Sequence, residues 1–176
     1  MAATQKKNIW FLSSPDGTPP PIRTYEYGGG GEVAMPGSPV LIAADGQVDF
    51  VADQGTTMLG YLVGVVDKSK AWPLTAALSA GDEVRVAIAR PGDLWACYCD
   101  SAGSDTTVAV SNIGDVIDIT VGAESGYVGY VTGDKATSVG DMFTVVDVMF
   151  QREPEKFAAA DSPGVLIVKH SGTLQG

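Results

Sequence analysis

Histidine is nearly missing from these 176 residues. His170 stands alone, so no site that needs several imidazoles can be built, and any Ser-His-Asp or Cys-His relay would have to use that one ring. In Lys169-His170-Ser171-Gly172, just past a predicted strand, it reads as a solvated tail residue. Cysteine is almost as scarce. Cys97 and Cys99 lie at i and i+2 of one strand, where extended backbone would strain a mutual disulfide. With no CxxC spacing to suggest zinc, they read as small apolar side chains under a sheet. Cations are short too, 11 Lys+Arg against 21 Asp+Glu for a net charge of −10. From Glu32 to Phe150 there are five basic residues against sixteen acidic, so no stripe exists to neutralise phosphates and nucleic acid is not an expected partner. The longest apolar runs, Val40 to Ala44 and Gly60 to Val66, fall well short of the roughly 18 residues of a membrane span. No basic-then-apolar leader opens the chain, and the expectation is a soluble protein made in a host cytoplasm, with no membrane partner. Helix is scarce: Thr75–Leu78 and Pro154–Asp161 offer a turn or two each.

What the chain has instead is alternation. The clearest unit is Gly81 to Asp100, in which Val84, Val86 and Ile88 alternate with Arg85, Ala87 and Ala89, and Leu94, Ala96 and Tyr98 with Trp95, Cys97 and Cys99. Arg90-Pro91-Gly92-Asp93 between them has turn chemistry, which predicts a β-hairpin. Further strands are expected at Pro39–Ala43, Gln47–Ala52, Met58–Asp67, Thr107–Ser111, Val116–Val121, Tyr127–Thr132, Met142–Phe150 and Val165–Lys169. Asp45-Gly46 and Gly-Asp steps at 81, 92, 114, 133 and 140 punctuate them. The expected fold is all-β, a compact β-barrel or β-sandwich of about ten short strands over residues 32–176.

Residues 1–31 have a different character. An apolar knot, Ile9-Trp10-Phe11-Leu12, is followed by Pro19-Pro20-Pro21, Tyr25-Glu26-Tyr27 and four glycines, and three basic residues stand against two acidic. This reads as an extended N-terminal arm with a Gly-rich hinge. Ordering such a segment costs roughly 1–2 kcal/mol per residue in backbone entropy, so the expected holder is another polypeptide, the alternative being that the arm folds back over its own sheets. Ile9, Trp10, Phe11, Leu12, Ile22, Tyr25 and Tyr27 are the candidate partner-binding residues, as apolar anchors for pockets elsewhere. The carboxylates Asp45, Asp49 and Asp53 share one hairpin, but Asp49 alternates with Val48 and Phe50 and the other two sit in turns, so they read as a solvated rim. No catalytic, cofactor-binding or metal-ligating residue is predicted, and no enzyme activity.

The arm, the succession Gly31-Glu32-Val33-Ala34, Gly37-Ser38-Pro39-Val40, Asp45-Gly46-Gln47-Val48, then Leu59-Gly60-Tyr61-Leu62-Val63-Gly64-Val65-Val66 and Gly81-Asp82-Glu83-Val84-Arg85-Val86, resembles the decoration or head cement proteins of tailed bacteriophages over residues 31–100. The resemblance implies a structural virion protein on the outer capsid surface, a homo-oligomer with a trimer favoured. It would bridge major capsid protein subunits and stabilise the shell, with a terminal arm as anchor. The alternative is a carbohydrate- or receptor-binding β module of a tail or spike, with Trp72 and the loop Ser101–Thr106 facing ligand.

Overall fold

The computed structural model describes residues 9–29, 36–51, 57–67, 77–100, 108–124, 127–134, 142–149, 164–171 and 173–175. The chain is all-β. Its strands are β1 (Trp10–Ser13), β2 (Ile22–Glu26), β3 (Pro39–Ile42), β4 (Val48–Phe50), β5 (Thr57–Met58), β6 (Gly60–Val65), β7 (Glu83–Ile88), β8 (Leu94–Asp100), β9 (Val116–Glu124), β10 (Tyr127–Asp134), β11 (Phe143–Met149), β12 (Val165–His170) and β13 (Thr173–Leu174).

Ten of these strands form two rings, while β5 and β13 make a separate parallel pair. In the larger sheet the order is β1-β8-β10-β9-β11-β12, and β12 also pairs with β8, so five strands close on themselves. An odd-numbered ring cannot alternate direction all the way round, and the one parallel contact falls between β8 and β10 at Cys99–Gly133 and Asp100–Asp134. β1 takes the same side of β8 at its other end, opposite Leu94 to Ala96. The smaller sheet runs β2-β7-β6-β3-β4, antiparallel throughout. Its ends meet through one parallel bridge, Tyr27 to Val48, sealed by the Gly28 amide donating to the Val48 carbonyl at 3.0 Å. That ring therefore closes at a point, whereas the larger one closes along a full strand.

Alternation explains how the two barrels share residues. On β7, Val84, Val86 and Ile88 fill the small barrel with Tyr27, Val40, Val48, Leu59, Leu62 and Leu78. The other face of β7 turns Ala87 and Ala89 toward the larger core of Trp95, Cys97, Cys99, Ile117, Phe143, Leu166 and Val168. Small side chains there let the barrels approach, and Gly60 carries this further, since a Cβ on it would run into the Ala87 carbonyl. Tyr61 and Trp95 meet across the junction with ring centroids 4.0 Å apart. Both cysteines are free and buried under the sheet, as expected.

Four expectations are corrected. Gly81 to Asp100 is no hairpin: β7 pairs with β2 and β6, and β8 with β1, β10 and β12. Arg90 to Asp93 is a corner that carries the chain from one sheet to the other, with Gly92 at φ 87°. Asp93, almost wholly buried, pairs with Arg90 at 3.2 Å, and the same guanidinium donates to the Thr18 carbonyl at 2.8 Å and reaches Asp16 at 3.4 Å. Hydrogen bonds from Ser14 and Thr18 hold the Asp16 carboxyl well below the usual carboxylate range. The segment at Thr107–Ser111 is not a strand where described. Val110–Asn112 forms one 3₁₀ turn, because the Asn112 side chain accepts from the Ala109 amide at 2.9 Å and competes with ladder formation. His170 is not a solvated tail residue either, since it ends β12, half-buried, edge-on to Phe143 at 5.5 Å. The candidate helix Pro154–Asp161 lies outside the described residues; of Thr75–Leu78, Ala77 and Leu78 are described and are not helical.

The expected arm is the largest correction. Residues 9–29 belong to both sheets, β1 against β8 and β2 against β7. Complementarity missing from the segment's own sequence is supplied by strands 57 to 86 positions further along, which no local pattern displays.

Candidate binding site at the mouth of the small barrel

The predicted partner-binding residues separate into two groups. Ile9 is buried in the larger core, and its backbone packs so closely on Gly37, at φ 84°, that a Cβ there would run into the Ile9 carbonyl. Phe11 lies opposite Trp95 and meets its ring edge-on at 5.3 Å. Trp10, opposite Ala96, and Leu12, at an irregularity between Phe11 and Ser13, are half-buried in the same strand. Tyr27 is buried at the seam of the small barrel, its ring 5.3 Å from Phe50. Ile9, Phe11 and Tyr27 are packed within their own chain, and Trp10 and Leu12 are held half-buried in a paired strand, so none of the five belongs to a free arm. Ile22 and Tyr25 remain. Ile22 is 61% exposed, the second most exposed of the large apolar side chains described, and Tyr25 is half-buried.

Tyr25 lines a cleft of about 340 Å³ together with Arg23, Ile42, Leu59, Ile88 and Gln175, whereas Ile22 falls on the opposite face of β2. The floor of the cleft is aliphatic, from Ile42 on β3, Leu59 just before β6 and Ile88 on β7. Register explains the rim. Arg23 lies opposite Val86 and Tyr25 opposite Val84, and both valines point into the small barrel, so Arg23 and Tyr25 share that face. Gln175 closes the far side: its side-chain carbonyl accepts from the Ile42 amide at 2.7 Å and its amide donates to the Ile42 carbonyl at 3.2 Å. In effect one side chain substitutes for a neighbouring strand. The Gln175 backbone amide donates to the Met58 carbonyl, continuing the pairing of β13 with β5.

Arg23 was not among the predicted residues. Among the described residues its guanidinium has no hydrogen bond or ion pair, in a chain of net charge −10. The signal that finds it is its i, i+2 relation to Tyr25 on a strand otherwise rich in exposed positions. An apolar floor with one free guanidinium at the rim suits an apolar group that carries a carboxylate.

Among the described residues no group of three His, Cys, Asp or Glu is placed to hold a metal ion, and no helix is long and apolar enough to cross a membrane. Asp49 is half-buried near Gly28 and Gly29, its Oδ1 3.2 Å from where a Cβ on either glycine would stand, while Asp45 caps its own turn by accepting from the Gln47 amide at 3.0 Å. Asp53, Trp72 and Ser101–Thr106 lie outside the described residues. No protein-family model and no curated protein matches this chain.

Proposed function

We propose that this chain is a structural virion protein of the bacteriophage head-decoration kind, bound to the outer capsid surface through the major capsid protein and working as a homo-oligomer, a trimer being favoured. What supports the reading is the order of Gly-punctuated strands over residues 31–100, together with the open mouth of the small barrel. Because β1 and β2 are paired within the chain's own sheets, residues 9–29 are not a free arm. Attachment instead falls to a preformed surface, the edge of β2 with Ile22 exposed, Tyr25 half-buried and Arg23 unpaired among the described residues. Two barrels packed through a common core give a stiff body, and a stiff body repeated over a shell adds stability by binding only the assembled form.

The test is co-sedimentation with heads assembled from the major capsid protein of the same genome. The expected result is saturable binding at a fixed ratio to coat subunits, with decorated heads rupturing at a higher temperature than bare ones. Protein that stays in the supernatant at micromolar concentration rules the reading out.

A further inference from the structure

The free side of β2 has an unused hydrogen-bonding edge. The Ile88 amide donates to the Pro21 carbonyl and the Tyr27 amide to the Asp82 carbonyl, so odd-numbered residues of this strand face β7. The N–H and C=O groups of Ile22 and Thr24 therefore point away from it. Across the seam β2 meets β4 only at Tyr27–Val48, and Ile22 lies five residues from that contact. Among the described residues nothing pairs with this edge.

We propose that β2 accepts an extended acidic segment of a partner polypeptide as an added strand. The incoming backbone bonds to Ile22 and Thr24, an apolar side chain enters the cleft, and a carboxylate meets Arg23. Every second side chain of an added strand falls on the face shared by Arg23 and Tyr25, so one strand delivers both contacts. A cleft of about 340 Å³ is at the small end of ligand pockets and fits a side chain or two. Charge selects the partner. Through Gly31 the chain has three basic residues to two acidic, against five to sixteen from Glu32 to Phe150. Arg85 on β7, opposite Thr24, lies on the other face of the sheet, so the carboxylate contact falls to Arg23 alone. Pairing of β2 with β2 of a second copy would instead set guanidinium against guanidinium. This inference rests on reading the chain as a module that docks on another polypeptide, and it names the chemistry of that contact.

The probe is the blocked pentapeptide Glu-Thr-Val-Thr-Glu, whose Glu and Val side chains fall on one face of an extended strand, titrated into the isotope-labelled full chain and followed by amide NMR, with Lys-Thr-Val-Thr-Lys as control. The expected result is shifts confined to β2 and the cleft, slowed exchange of the Ile22 and Thr24 amides, and about tenfold weaker binding of the lysine peptide, the ratio that roughly 1.4 kcal/mol gives. Thr24→Pro removes a donor that faces away from β7 and is tolerated on an edge strand. It and Arg23→Glu are expected to lower affinity by a similar factor while the thermal melt stays cooperative. Shifts elsewhere, no shifts at millimolar peptide, or equal binding of both peptides overturn the proposal. So does self-association of the free chain that Thr24→Pro abolishes, which would assign the edge to a second copy. Heads that bind the wild type and both variants equally leave the decoration reading intact and remove this one; peptide binding without head binding does the reverse.

Discussion

Tyr61 and Trp95 pack ring to ring at the junction of the barrels, yet among the described residues neither the Tyr61 hydroxyl nor the Trp95 indole N–H has a hydrogen-bond partner. A buried polar group left unpaired costs about 1–3 kcal/mol, so Tyr61→Phe is expected to be neutral or to stabilise the protein by about 1 kcal/mol in urea unfolding. Burial, with the charges of Cys97 and Asp93 adding, pushes the Tyr61 hydroxyl well above 10. Its folded value exceeds its unfolded value of about 10, so the unfolded state releases the proton first, and stability is full below about pH 10 and falls as pH rises beyond it. The phenylalanine variant should therefore lose less stability between pH 10 and 11.5 than the wild type; identical alkaline limbs would mean that the hydroxyl reaches water. The two cysteines on the same face as Trp95 were readable from composition and alternation alone, because a small apolar side chain under a sheet needs no partner to explain it.

At the scale of strands, alternation located most elements but misjudged their neighbours. Arg90-Pro91-Gly92-Asp93 has the residues of a hairpin turn, and the same residues serve a corner between sheets; only the distant partners β2, β6, β12 and β1 distinguish the two. β1 and β2 escaped for the opposite reason. β2 has four exposed residues in five and β1 one in four, with no fully buried position in either, so neither shows the buried alternation that marks an internal strand. Arg23 went unnoticed because a lone cation on such a strand acquires meaning only from the cleft beside it. The junction that ties β1 down is open to direct test at Gly37. Positive φ costs a side chain about 1–2 kcal/mol, and a Cβ there also strikes the Ile9 carbonyl. Gly37→Ala is thus expected to destabilise by about 2 kcal/mol or more and to speed proteolysis at the N-terminal segment. A variant as stable and as resistant as the wild type would show that Ile9 is not held where it lies.

For the whole molecule, what was readable was the class, all-β, and not the role of the first thirty residues. Deleting residues 1–31 removes β1, β2, buried Ile9 and Tyr27, and the bridge that closes the small barrel. Burying side chains of this size contributes about 1.5–3 kcal/mol each, against a total stability of about 5–15 kcal/mol. The truncated chain is therefore expected to show no cooperative melt and to elute as expanded or aggregated material in size exclusion. A monomeric product with native circular dichroism would restore a separable arm.

An odd count of strands in each ring has a bearing on synthesis. Turns alone join neighbours of opposite direction, so the like-directed pair must come from segments far apart in the chain. For the smaller ring the last strand, β7, ends at Ile88, and for the larger one β12 ends at His170. On the ribosome the smaller barrel can thus assemble while β8 still waits for β12, with the indole of Trp95 uncovered on one flank until β12 has been made.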